Sequence, residues 1–179
     1  MMNMRRIIIV FMSIMIVMGS ASASAVAGFS GNGSGTETDP YKISNLSELR
    51  EIEDEPNAYY ELISDIELVP NYEEGDPGWQ PLNKFTGILD GNGHTISNLH
   101  INRNASNQGL FTKLEQATIK DLTIDKINMK AGSKTGALAG ETTGSEITNV
   151  KIKNAQYNIY KGENSGETIS KAYIYYYVF

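Results

Sequence analysis

Ile96-Ser97-Asn98-Leu99-His100-Ile101 is the first of a set of related hexads that decide how this chain folds. Each hexad has isoleucine at its first and last positions, and the first three copies have an aliphatic residue at the fourth. The later copies are Ile119-Lys120-Asp121-Leu122-Thr123-Ile124, Ile147-Thr148-Asn149-Val150-Lys151-Ile152 and a degenerate Ile169-Ser170-Lys171-Ala172-Tyr173-Ile174. Their first positions are 23, 28 and 22 residues apart. A unit that recurs at intervals of roughly 20–30 residues is typical of a solenoid, whose units bury their apolar side chains against their neighbours.

The apolar positions of the hexad predict a bend inside it. In an unbroken strand, strict alternation would place position 1 on the opposite face from positions 4 and 6. A bend at positions 2–3 brings all three to one side, as at a corner between two short strands of a flattened coil. We therefore expect a β-solenoid whose repeated core positions are Ile96, Leu99, Ile101, Ile119, Leu122, Ile124, Ile147, Val150 and Ile152. The polar third positions are expected to hydrogen-bond along one corner as a ladder of Asn98, Asp121 and Asn149.

The N-terminus predicts export. Arg5 and Arg6 precede the apolar run 7–18, and the small residues 19–25 offer cleavage sites, so residues 1–25 have the pattern of a secretory signal peptide. A retained membrane anchor is the alternative, but a run of about a dozen apolar residues is short against the roughly 20 that span a bilayer. We expect a secreted or cell-surface protein with no stable membrane span after signal removal.

The charge and cysteine content exclude several classes of protein. The chain carries 15 basic and 21 acidic residues, a net charge of −6, and removal of residues 1–25 makes it −8. This balance opposes nucleic-acid binding, which needs a basic surface. With no cysteine, neither disulfides nor thiolate metal sites contribute, so stability must come from packing and hydrogen-bond ladders.

The segments before the hexads predict a linker and a cap. Residues 26–38 are rich in Gly and Ser and predict a flexible linker, residues 39–84 a cap with the first strands, and residues 85–179 the β-helix repeats. Asn45 and Glu48 have the spacing of a capping box, and the apolar stripe that follows predicts one short helix. A solenoid needs such a cap because its first coil otherwise exposes its interior. The uncharged aromatic end, 172–179, leaves open whether another element covers it or the repeats are truncated.

Two features after the predicted helix indicate local structure. Trp79, the only tryptophan, follows a loop rich in Pro and Gly, and it either closes an edge of the core or serves as a platform on which a sugar stacks. The turn Asp90-Gly91-Asn92-Gly93 supplies residues that adopt positive φ at low cost, so the chain should turn sharply there between two strands.

These residues resemble a known family. The run Gly33 to Ile43, the segments Tyr59-Tyr60-Glu61-Leu62, Asp65-Ile66-Glu67-Leu68 and Trp79-Gln80-Pro81-Leu82, and the stretch Phe85 to Ile96 occur in the order seen in secreted adhesin-like proteins with GLUG-type repeats. Gly109-Leu110-Phe111 and Gly136-Ala137-Leu138-Ala139-Gly140 are similar to the glycine motif of that repeat. The resemblance implies a right-handed parallel β-helix of the pectin-lyase-like class, here of about four coils, which serves as a scaffold. The chain differs from that family in its few repeats and its aromatic end.

Few residues of the sequence are candidates for catalytic or metal chemistry. His94, His100 and Asp90 could suggest a metal site, but no metal-binding or nucleophile motif accompanies them, so we expect no catalytic residue, metal or cofactor. Polysaccharide lyases of the same fold are the enzymatic alternative, since they use carboxylates that hold calcium and a basic residue on the groove face. The residues available for such chemistry are Asp65, Asp90, Asp121, Asp125, Lys120, Lys126, Lys151 and Lys153.

The sequence therefore favours a non-catalytic, adhesin-like or scaffold module that presents loops to a glycan or a cell-surface protein. The alternatives are a glycan-degrading β-helix enzyme and a remnant accessory domain of a larger secreted protein such as a peptidase. Asn32 and Asn104 lie in N-x-Ser motifs and are candidate glycosylation sites; Asn45 lies in a third such motif but is needed as a helix cap.

Overall fold

The computed structural model describes residues 28–69 and 71–159. The predicted signal peptide, residues 1–25, and the fourth hexad, residues 169–174, lie outside these ranges. Within them the elements are β1 (Tyr41–Ile43), α1 (Leu46–Arg50), a 3₁₀ turn (Glu51–Glu53), β2 (Tyr59–Leu62), β3 (Ile66–Glu67), β4 (Leu82–Phe85), β5 (Ile88–Asp90), β6 (Thr95–Ser97), β7 (His100–Arg103), β8 (Phe111–Glu115), β9 (Thr118–Lys120), β10 (Thr123–Asp125), β11 (Ile127–Ala131), β12 (Ala139–Thr143), β13 (Glu146–Thr148), β14 (Lys151–Ile152) and β15 (Ala155–Ile159).

The strands stack into four parallel sheets that run along a solenoid. We name them sheet A (β1-β2-β5-β9-β13), sheet B (β3-β6-β10-β14), sheet C (β7-β11-β15) and sheet D (β4-β8-β12). Each complete coil gives one strand to every sheet, as β5 to β8 and then β9 to β12 do. The prediction of a β-solenoid of about four coils with one short helix near the N-terminus is therefore confirmed.

The stacking register differs from the predicted alignment of the hexads. Ile96 lies beside Ile124, and Ile124 beside Ile152, whereas Ile119 lies beside Leu89 and Ile147. The paired isoleucines are thus 28 residues apart, whereas Leu89 and Ile119 are 30 apart, and the first hexad occupies the next corner of its coil rather than the corner of the other two. The spacing of 23 residues arises because the hexad encodes a strand, a corner and a strand, and one coil contains more than one such corner.

The bend predicted within the hexads lies at their third position. Asn98, Asp121 and Asn149 have φ values of 58°, 51° and 52°, in the left-handed region. Asn and Asp adopt this conformation at lower cost than most residues, because their short polar side chains can hydrogen-bond to the local backbone. A single left-handed residue redirects the chain from one sheet to the next while positions 1, 4 and 6 all stay inside.

The turn before the first hexad requires a glycine at one position. Positive φ occurs at Asn92 and Gly93, with values of 48° and 81°. At Gly91 a Cβ would lie only 2.5 Å from the carbonyl oxygen of Asp121 in the next coil. Glycine at that position therefore lets two coils approach at the corner.

The interior of the coils is apolar. Seven of the nine predicted repeat positions are buried in the core cluster, and the other two, Ile147 and Ile152 of the last described coil, are half-buried and pack against it. Trp79 is 1% exposed, and its indole Nε1 donates to the carbonyl oxygen of Leu110 at 3.1 Å. Arg50 lies over the ring, 3.4 Å from its centre. Trp79 therefore closes an edge of the core, which removes the sugar-platform alternative for this residue.

The helix covers the N-terminal end of the stack. Asn45 caps α1 by accepting from the backbone N–H of Glu48 at 3.1 Å, and the Glu48 carboxylate returns to the N–H of Ser44 at 2.6 Å, one residue before the cap. Leu49 and Ile52 are buried in the core cluster. The backbone N–H of Asn83 in β4 donates to Glu53 at 3.0 Å, so side chains of the cap satisfy groups that a preceding coil would otherwise satisfy.

The first strand of sheet C is covered in a different way. Segment 77–79 runs antiparallel to β7: the N–H of Trp79 donates to the carbonyl of His100 at 2.7 Å, and the N–H of Asn102 to that of Pro77 at 3.0 Å. This edge is thus paired rather than open.

Residues 28–38, predicted as a linker, contain a bridge between Asn32 and Lys42, and Phe29 packs against the core. Among the described residues, no helix has both the length and the apolar character needed to cross a membrane.

Candidate functional site

Left-handed corners line up along the solenoid. Asn98 follows strand β6, Lys126 follows β10 and Asn154 follows β14, and these strands are neighbours in sheet B. The three corner residues have φ values of 58°, 53° and 47°. We call them the sheet B–C corner. The equivalent sheet A–B corner holds Asn92 and Gly93, then Asp121, then Asn149.

The structure places the predicted corner ladder on two different corners. At the sheet A–B corner, the Asn149 amide donates to the Asp121 carboxylate at 2.6 Å. Asn98 belongs to the sheet B–C corner, where its amide donates to the Glu67 carboxylate. At that same corner, Asn154 donates to Asp125 at 2.7 Å. The reason is the 28-residue register, which sets Asn98 beside Lys126 instead of Asp121.

Sheet C adds a second row of polar side chains next to the sheet B–C corner. His100, Asn128 and Gln156 are direct neighbours on β7, β11 and β15. Each stands two residues after a corner residue, and the residues between, such as Leu99 and Ile127, point into the core. The result is a polar grid of three rows, Asn98 with His100, Lys126 with Asn128, and Asn154 with Gln156. Its rows are one strand spacing apart, about 4.8 Å.

A tyrosine from the preceding loop forms the wall of a groove over this grid. The Tyr72 ring stacks on the His100 ring, with centroids 3.8 Å apart and planes 6° apart. The amide of Asn128 reaches the Tyr72 hydroxyl at 3.3 Å. Tyr72 itself is 45% exposed. The groove encloses about 320 Å³ and is lined by Tyr72, the six grid residues and Ile127.

His100 is buried without a hydrogen-bond partner in this groove. Its alternation with Leu99 and Ile101 predicts an outward side chain, and it does lie on the outer face of sheet C. The stacked Tyr72 ring nevertheless leaves it only 8% exposed. Neither ring nitrogen has a partner among the described residues. A buried polar group of this kind is uncommon and costs about 1–3 kcal/mol.

The carboxylates available for metal or lyase chemistry have structural partners. Asp65 accepts from the N–H of Thr95 at 2.8 Å and lies 3.3 Å from Nδ1 of His94. Asp90 pairs with Lys120 at 2.7 Å across neighbouring strands of sheet A. Lys151 and Lys153 are exposed near the end of the last described coil. Among the described residues no group of three or more His, Asp or Glu side chains is placed to hold a metal ion.

Sheet D carries an ion-pair ladder on its outer face. Glu115 accepts from Lys113 at 2.7 Å and from Lys84 at 2.9 Å, and Glu141 pairs with Lys134 at 2.8 Å. The hydrogen bond from Lys113, followed by that from Lys84, lowers the pKa of Glu115 to about 2. Lys134 lowers the pKa of Glu141 in the same way. On this face the lysines and glutamates pair with one another, in contrast to the groove.

The candidate glycosylation residues both lie at the surface. The side chains of Asn32 and Asn104 are exposed, and Asn104 lies immediately after β7. The backbone carbonyl of Asn32 accepts from the N–H of Lys42 at 2.7 Å. Their modification stays a prediction.

Sequence reasoning missed Tyr72, Asn128 and Gln156 as members of one site. The signal for two of them is the offset of 28 residues that relates positions 100, 128 and 156, once the coil length is known. No pattern in the sequence connects Tyr72 with His100, because the loop that carries it has no counterpart in the other coils.

Comparison with known proteins identifies the family of the coil stack. Residues 49–154, which run from α1 to the sheet B–C corner of the last described coil, match the family described as the M26 IgA1-specific metallo-endopeptidase N-terminal region. The chain belongs to this family. The matched M26 N-terminal region contains the whole polar grid except Gln156, together with the ion-pair ladder.

Two relatives each match more than half of the chain. Halomucin of Haloquadratum walsbyi is 37% identical over 125 residues, which is 62% of this chain and 1% of halomucin. A protein of Evansella cellulosilytica described as a Gly-rich membrane protein is 33% identical over 130 residues, 66% of this chain and 15% of the relative. The chain therefore spans only a small part of the length of these relatives. No solved structure matches it.

Together these matches indicate a surface-associated or secreted accessory module. The matched family is an N-terminal region of a peptidase and not its catalytic part. GLUG-repeat adhesin-like proteins, which the sequence resembles, are not among these matches.

Proposed function

We propose that this chain is a non-catalytic, adhesin-like or scaffold module that acts outside the cell and presents its outer face to a glycan or a surface protein. The observation that carries the proposal is the match of residues 49–154 to the N-terminal region of a peptidase family. Membership of the GLUG-repeat adhesin-like proteins and export by the signal peptide are part of the same proposal.

The geometry of the solenoid is suited to presenting side chains to a binding partner. Strands of successive coils are held by parallel hydrogen-bond ladders in four sheets, so the outer side chains are fixed at regular spacing. The carboxylates that a lyase would use are already engaged by corner amides, backbone N–H groups or lysines. A rigid scaffold with an open polar groove is better suited to binding than to turnover.

The test is binding without turnover. The full 179-residue chain is incubated, with calcium present, with extracellular polysaccharides, with glycoproteins and with purified surface proteins. We expect saturable retention of at least one of these with no new reducing or unsaturated ends. Release of such ends by the purified chain would make it an enzyme and overturn the proposal. Failure to retain any glycan or surface protein would overturn it as well.

A further inference from the structure

We infer that the groove between Tyr72 and the polar grid binds an acidic glycan, meaning an extended chain of hydroxyl-rich sugars that carries a carboxylate. This inference rests on the proposed function and gives it a site and a class of ligand. It follows from the side chains that line the groove, from their hydrogen-bond state and from their charge.

The amides of the grid are suited to sugar hydroxyls. At the corner, the Nδ2 groups of Asn98 and Asn154 donate to Glu67 and Asp125, which holds each amide with its Oδ1 available as an acceptor. Asn128 and Gln156 add amides that both donate and accept. A hydroxyl group also donates and accepts, so a polyol can satisfy this mixed array at each row.

The aromatic wall suits the apolar faces of sugar rings. Tyr72 is held in place by its stacking on His100 and by the amide of Asn128. Binding sites for small molecules commonly combine aromatic walls with a few polar groups that fix the orientation of the ligand. Because the grid repeats along the solenoid axis, an extended oligomer fits the site better than a single compact ligand.

Lys126 selects for a carboxylate. It is the single charged residue in the groove lining and it occupies the central row. Among the described residues its ammonium group has no hydrogen bond or ion pair, whereas Lys84, Lys113, Lys120 and Lys134 all pair with carboxylates. An ammonium group left free beside neutral amides is complementary to one acidic sugar in an otherwise neutral stretch.

His100 provides the independent observation that a ligand belongs here. The ring lines the groove, is 8% exposed, and has no hydrogen-bond partner for either nitrogen among the described residues. Such a group is unfavourable in the empty protein. Both nitrogens are shielded in the empty protein, so a ligand hydroxyl supplies the missing partner when the exposed Tyr72 ring shifts from its stacked position.

The experiment measures oligosaccharide binding by the full chain with calcium chelated. The probes are oligogalacturonate, oligomannuronate and sialyl-oligosaccharides, each with its carboxyl-reduced counterpart. We expect at least one acidic probe to bind and its reduced form to bind about tenfold more weakly, the loss expected for one charge-assisted contact. Tyr72→Ala should weaken binding of both forms by a similar factor.

The decisive variant is Lys126→Asn. Asparagine occupies the same left-handed corner in the neighbouring coils, so this substitution removes the charge without disturbing the turn. It should weaken acidic probes about tenfold and abolish their advantage over the reduced forms. Lys134→Asn is the matched control, because Lys134 also has positive φ, 55°, but lies at another corner beside Glu141. It should leave binding unchanged.

The possible results separate this inference from the proposed function. An acidic glycan that binds Lys126→Asn and Tyr72→Ala as well as the wild type overturns the groove while the binding module stands. The same conclusion follows if the chain binds only a surface protein. It also follows if the NMR signals of the His100 ring protons do not shift when the glycan is added. A His94→Gln variant distinguishes these signals from those of His94. Cleavage of the probes, or failure to bind any glycan or protein, overturns both.

Discussion

Gln116 turns the chain with a φ of 53°, and its counterpart one coil later is Gly144 with a φ of 62°. The N–H of Gln116 donates to the carbonyl of Thr143 at 2.8 Å, which aligns the two corners. Left-handed backbone costs a residue such as Gln roughly 1–2 kcal/mol, whereas Gly adopts it freely. We therefore expect Gln116→Gly to raise the free energy of unfolding, by about 0.5–1 kcal/mol once the greater entropy of the unfolded glycine is subtracted.

The measurement is the midpoint of urea unfolding for the wild type and the variant. Thr112→Gly within β8 is the control, because a glycine at an ordinary strand position should lower stability by about 0.5–1 kcal/mol. If both glycines destabilise equally, the corner at position 116 carries no backbone strain and the left-handed assignment is wrong.

At the scale of single elements, the outer face of sheet D makes stability depend on pH. The pKa of Glu115 is lowered from its ordinary value of 4.5 to about 2 by Lys113 and Lys84. A carboxyl whose folded pKa is depressed contributes stability that is fully present above its unfolded pKa. That contribution is lost as the pH falls toward the folded value. The melting temperature should therefore decrease between about pH 4.5 and pH 2.

The cause is tested with variants of the ladder. In Glu115→Gln the decrease in melting temperature over this range should be smaller than in the wild type, because one linked carboxyl is gone. The double variant with Lys84→Met and Lys113→Met should show the same reduction while Glu115 remains. Equal slopes in all three proteins would mean that the ladder does not shift the pKa of Glu115.

Elements with local signals were predictable from the sequence. The short helix follows from Asn45, Glu48 and the apolar stripe after them, and its cap is formed by that asparagine. The bend in the hexad follows from the incompatible faces of positions 1, 4 and 6, and it lies at Asn98, Asp121 and Asn149. Each of these depends only on neighbours in the chain.

The register of the coils was not predictable from the same hexads. Successive corners of one coil need the same apolar, polar and apolar order, so their sequences look alike although they never stack. Only the pairing of Ile96 with Ile124 shows which copies are equivalent. The groove has the same limitation, because Tyr72 reaches His100 across a loop unique to the first coil.

At the scale of the whole molecule, the 28-residue register predicts that an entire coil can be removed. A solenoid is stabilised by contacts between neighbouring coils, so a shorter stack with matched faces should still fold. Deletion of residues 118–145 joins Ala117 to Glu146 and brings β13 beside β5 in the register that β9 now holds. We expect this variant to be folded and β-rich, with a lower free energy of unfolding because two coil interfaces become one.

The matched control deletes residues 118–144, one residue fewer. Because side chains alternate along a strand, this shift turns Ile147 outward and displaces the corner residue Asn149 from its left-handed position. Circular dichroism and size-exclusion chromatography should show a folded species of uniform size for the in-register deletion and an unfolded or aggregated one for the control. Equal behaviour of the two deletions would contradict the coil length, and with it the alignment of the polar grid on which the groove depends.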